Sequence, residues 1–137
     1  MRRLLSLAVV LAAMACGSDD STSVPTNASV AGTWTLQTVN GSALPYTAAP
    51  APTKVEILSN TVTATSAGTW TSTTQIRTTI GTQAPTTATQ TDAGTYTLSG
   101  NNVAINSTAN GVVGAGAISG NTLTLTQAAG VFVYKKQ

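Results

Sequence analysis

From residue 33 onward, apolar and polar positions alternate in short runs with a period of two. Over 33–39, Trp34 and Leu36 fall on one face and Thr33, Thr35 and Gln37 on the other. That pattern predicts a strand with one buried face. Asn40-Gly41 follows as a hairpin turn. Residues 44–53 carry Pro45, Pro50 and Pro52, which cannot donate to a ladder. They predict a long loop with at most a short edge strand near 44–47. Val55 and Ile57 mark a strand over 54–58. Ser59-Asn60 predicts a tight turn into another strand over 61–66. Ala67-Gly68 turns into the longest run, 69–80, where Trp70, Ser72, Thr74, Ile76, Thr78 and Ile80 share a face. After a break at 81–85 come a weakly patterned strand over 86–90 and a clearer one over 94–98, with Tyr96 and Leu98 inward.

Two similar hairpins come next. Ser99-Gly100-Asn101 and Ser119-Gly120-Asn121 each sit between alternating strands, with Val103 and Ile105 on one return strand and Leu123 and Leu125 on the other. Between them, residues 111–117 (GVVGAGA) are apolar but small, as fits a crowded strand or a barrel corner. Residues 131–134 close the series. About eight short strands joined by short turns predict an all-β fold, a small up-and-down antiparallel barrel that leaves few free edges.

The first sixteen residues follow a different pattern. Arg2 and Arg3 precede an apolar run over 4–13, the length of a signal h-region and well short of the ~20 residues that span a bilayer. Ala13-Met14-Ala15 then leads into Cys16. This resembles the lipobox of bacterial lipoproteins, with Ala13 where the pattern's Leu stands. The resemblance implies a signal peptide over 1–15, a diacylglycerol on the Cys16 thiol, and a membrane held through N-terminal acyl chains. Two or three such chains, at about 0.8 kcal/mol per buried methylene, make a stable anchor. Gly17 after the Cys, by resemblance to the enteric sorting rule, implies the outer membrane of the cell envelope. The competing reading is a plain secretory signal cut near Ala15, which leaves an unpaired thiol. Residues 16–28 are small and polar, with Pro25, and read as a flexible tether; 29–137 is then the folded domain.

Composition narrows the chemistry. Threonine is about a fifth of the chain, while only 7% of residues are charged. β-branched residues suit a pleated surface, and the usual helix formers Glu, Lys and Arg are scarce. Without Arg2 and Arg3, the basic residues Lys54, Arg77, Lys135 and Lys136 balance Asp19, Asp20, Glu56 and Asp92. A neutral chain lacks the basic patch that nucleic acid requires. There is no histidine and a single cysteine, which removes Ser-His-Asp and Cys-His catalysis and leaves zinc without ligands. Beyond the tether, Glu56 and Asp92 are the only carboxylates, and they read as solvated strand and loop charges. No enzyme, metal or cofactor is expected.

Gly32-Thr33-Trp34 resembles the Gly-X-Trp signature of the first strand of lipocalins. The stretch over 94–101 (GTYTLSGN) is similar to a later hairpin of short bacterial lipocalin-like domains. Lipocalins pair that Trp with an Arg on the last strand; here the strand ends in Lys135 and Lys136. The resemblance implies that Trp34 plugs one barrel end, and that Trp70, Tyr96 and Trp34 are candidate contacts for a small hydrophobic ligand or lipid. A second resemblance competes. Asp92, Gly94 and Tyr96 are similar to the tyrosine corner of immunoglobulin-like sandwiches. The alternative function is a structural or adhesive module contacting an envelope protein or glycan. A lumen of several hundred cubic ångströms would favour ligand binding; a filled one would favour the module.

Overall fold

The alternation at the start of the domain becomes β1 (Gly32–Val39), where Trp34, Leu36 and Val39 are buried and Gln37 is exposed. A bulge between Leu36 and Thr38 inserts one residue and so turns Val39, rather than Thr38, inward. The computed structural model describes residues 28–109 and 111–137. The expected signal peptide over 1–15, Cys16 and all but the last residue of the expected tether over 16–28 lie outside the described residues. Ala28 already packs against the core.

Nine further strands follow. They are β2 (Ser42–Ala43), β3 (Tyr46–Ala49), β4 (Thr53–Ala64), β5 (Thr69–Ile80), β6 (Thr86–Ser99), β7 (Asn102–Ser107), β8 (Gly111–Ser119), β9 (Thr122–Gln127) and β10 (Gly130–Lys136). All pairings are antiparallel. From β4 through β10 each strand pairs with the next, and β1 pairs with both β10 and β4. This closes a ring of eight strands. β2 and β3 lie in the connection from β1 to β4, on the edges of those two strands. A single closed sheet is an up-and-down barrel and leaves no second layer for a sandwich. Tyr96 accordingly serves no tyrosine corner: its hydroxyl donates to the Thr65 carbonyl in the β4–β5 turn at 2.7 Å.

Two sequence-predicted breaks are absent. Ser59-Asn60 makes no turn: β4 runs unbroken, paired with β5 from Thr53↔Ile80 to Ala64↔Trp70. A bulge between Ile57 and Ser59 takes up the irregularity. The long partner strand holds this segment extended against the turn preference of Ser and Asn. Likewise 86–90 and 94–98 are one strand, β6, because β5 pairs with it from Thr86 to Thr95.

β8 shows why the run over 111–117 is so small. Its Gly116 sits between Val103 and Leu125, and a Cβ there would run into the carbonyl oxygen of Thr124. Strands this tightly coiled leave no room for a side chain.

The two barrel ends differ. At one, β1 begins: Trp34 is fully buried and its Nε1 donates to the Val30 carbonyl at 2.7 Å. At the other, β4, β5 and β6 (12, 12 and 14 residues) outrun β7 and β9 (6 residues each). They project past the rim as a small sheet.

An ion triplet fastens the outer face of that projection. Glu56 is only 6% exposed. Its carboxylate accepts from Arg77 Nε at 2.8 Å and from Lys54 Nζ at 2.7 Å. The sequence placed Glu56 in solvent; strand pairing instead sets Thr47 of β3 on one side of it and Arg77 of β5 on the other. The Arg77 hydrogen bond, then the Lys54 one, holds its pKa at about 2, below the ordinary 4.5. A carboxylate favoured in the folded state stabilises it above pH ~4.5, and that contribution drains away as pH falls towards ~2. Urea midpoints should therefore decline across this window in the native chain. Glu56→Gln should start lower at neutral pH and decline much less. Both cations are more than a third exposed, so added salt should shrink the difference.

Candidate functional site

The barrel encloses a cavity of about 540 Å³, open at the end where β4, β5 and β6 project. Its wall is mostly apolar on one side and mixed on the other, where Ile57, Val62, Ala64 and Trp70 stand beside polar side chains. On β1, β7, β9 and β10, the inward positions are Leu36, Val103, Ile105, Leu123, Leu125 and Phe132, all buried. On β4 to β6, the same cavity meets Asn60, Ser72, Thr74, Gln90 and Asp92. Pairing aligns these polar residues across the strands: Asn60↔Thr74↔Gln90 in one row, Ser72↔Asp92 in the next. The period of two that hides Trp70 on β5 also turns Ser72 and Thr74 inward.

The three aromatic candidates occupy different places. Trp70 lines the cavity, 7% exposed, with Nε1 donating to the Thr95 carbonyl at 3.0 Å. Tyr96 lines it from β6, its hydroxyl tied to Thr65. Trp34 sits beneath, outside the cavity wall. Lys136 Nζ lies 5.3 Å from the centroid of its ring and also donates to the Ser29 carbonyl at 3.2 Å. A cation over an aromatic face is attractive, and here it caps the plugged end.

Sequence reasoning missed three polar groups of the lumen. Asp92, assigned to solvent, is half-buried. Its Oδ1 accepts from Ser107 Oγ at 2.9 Å and from the Ala93 amide at 2.8 Å. Asn60 is 9% exposed and donates from Nδ2 to Thr74 Oγ1 at 2.6 Å, while its Oδ1 is buried with no donor. Tyr134 is 4% exposed and lines the lumen. Its hydroxyl makes no hydrogen bond among the described residues, and burial pushes its pKa up to about 12, so it remains a neutral phenol. Among the described residues, no three of His, Cys, Asp and Glu gather closely enough to hold a metal ion.

Comparison with protein-family models matches none, and a search of curated proteins returns no significant relative.

Proposed function

We propose that this chain is a cell-envelope lipoprotein whose barrel binds a small hydrophobic molecule or lipid. The observation that carries this reading is the open lumen. Its ~540 Å³ lies within the usual range for small-molecule sites, and one side of its wall is mostly hydrocarbon. A module that only presented its outer surface would have no use for a hollow interior, whose unfilled space costs packing energy. The lipocalin-like reading gains support from Lys136, which stacks on Trp34 from the last strand, where lipocalins supply an Arg. Cys16 is the proposed lipid attachment point and the outer membrane the proposed location, both resting on the lipobox resemblance.

Trp70 gives a direct readout, since it stands in the lumen wall. Titration with retinol, fatty alcohols and fatty acids should produce a saturable change in tryptophan emission for at least one class. Trp70→Phe should remove most of it. A flat response across all three would end the binding hypothesis. Intact mass of membrane-extracted protein tests the anchor: the mature chain should begin at Cys16 and carry acyl mass.

A further inference from the structure

We infer that the lumen is built for a cationic amphiphile, a long-chain primary amine, with its ammonium facing Asp92 and its chain along the mostly apolar side of the wall. This rests on the ligand-binding reading above and adds the chemical class of the ligand.

The first observation is the charge of the lumen. Among the described residues, Asp92 is the one Asp or Glu in the cavity wall, and no Lys or Arg joins it there. The described cations are all placed elsewhere. Lys54 and Arg77 are paired with Glu56, Lys136 caps Trp34, and Lys135 is exposed. Two donors hold Asp92 Oδ1 and fix the carboxylate in place; Oδ2 takes no donor among the described residues. A lone carboxylate in a partly desolvated lumen attracts a cation and repels an anionic head.

The second observation is independent of that charge. Asn60, more than nine-tenths buried in the same lumen, carries a buried polar atom without a partner among the described residues, its Oδ1. A buried polar atom without a hydrogen bond is costly, so an occupant that supplies one is favoured. Asn60 Oδ1 and Asp92 Oδ2 only accept. A carboxylate head only accepts and so answers neither of these two acceptors. An ammonium only donates, which is the chemistry that Asn60 Oδ1 and Asp92 Oδ2 call for. Gln90 and Gln127 at the wall offer both donor and acceptor, so they favour neither sign.

Calorimetric titration of the purified full chain at pH 7 with dodecylamine, dodecanol and dodecanoate tests this, since the three share one chain and differ in head. The amine should bind at least tenfold more tightly than the carboxylate, with the alcohol between them. Asp92→Asn keeps an acceptor for Ser107 and the Ala93 amide, so the strand pairing survives, and it should bring the amine-to-carboxylate ratio close to one. Glu56→Gln removes a negative charge outside the lumen and should leave that ratio as it was. Dodecanoate binding as tightly as the amine would overturn the cationic assignment while leaving a ligand-binding barrel. An unchanged ratio in Asp92→Asn would overturn the role of Asp92. Silence from all three would overturn both this inference and the reading it rests on.

Discussion

Trp34→Ala lowers the stability of the barrel by about 3–5 kcal/mol, the range for emptying a buried aromatic site. Three losses coincide there. The ring is fully buried at the plugged end, so truncation leaves a void that the closed ring of strands cannot collapse into. The Val30 carbonyl loses its 2.7 Å donor. Lys136 loses the aromatic face beneath its ammonium. Trp34→Phe separates these effects. It keeps most of the apolar surface and a face for Lys136 but removes the N–H, so it costs about 1–2 kcal/mol. Urea unfolding of the two variants beside the native chain checks both values. A Trp34→Ala midpoint shift equivalent to under ~1 kcal/mol would show that the plug is not structural.

Gly116→Ala costs about 3 kcal/mol, at the upper end for overpacking, although it adds one methyl group. The new Cβ meets the Thr124 carbonyl oxygen and carbon and the Leu125 Cα, all backbone atoms of β9. A side chain could rotate aside; a ladder strand moves only by breaking register with β8 and β10. Gly120→Ala is the informative contrast. In the β8–β9 turn no atom lies within 4 Å of the added carbon, and the only obstacle is a φ of +56°. That left-handed conformation costs an alanine about 1–2 kcal/mol. Urea midpoints for the two variants should rank Gly116→Ala as the more damaging. The reverse order would mean that backbone conformation, not crowding, dictates the small residues of β8.

The barrel was legible in the sequence because its turns and inward positions are local signals. Asn40-Gly41 and the two Ser-Gly-Asn hairpins fix where strands end, and Trp34, Leu36, Val103, Ile105, Leu123 and Leu125 fix which face turns inward. Parity was lost wherever a bulge intervened. The extra residue near Leu58 belongs to the register between β4 and β5, and nothing in 54–66 alone reveals it. For that reason Asn60, read as half of a turn, emerged as a buried lumen residue. Asp92 escaped notice on different grounds. Its neighbours Thr91 and Ala93 give no apolar contrast, so only pairing with Ser72 shows that it points inward. In Val131-Phe132-Val133-Tyr134 every position is apolar, and the partner strands alone decide that Phe132 and Tyr134 are the buried pair. The resemblance to a lipobox at Cys16 is a sequence signal, outside the described residues.

Water cannot leave this lumen evenly. Along Ser72, Thr74 and Gln90, hydroxyls and an amide offer a water several partners, the condition for holding it in place. Across from them, Leu123, Leu125 and Phe132 offer none. An entering hydrocarbon chain displaces the loosely held half and keeps a hydrated strip along its flank. Beyond Thr74 and Gln90 the next inward row is Ile76 and Ala88, beside Ile57 of β4, so that strip stops against apolar side chains short of the rim. Loading and release then carry the chain past that apolar collar, with the hydrogen-bonded ring intact throughout.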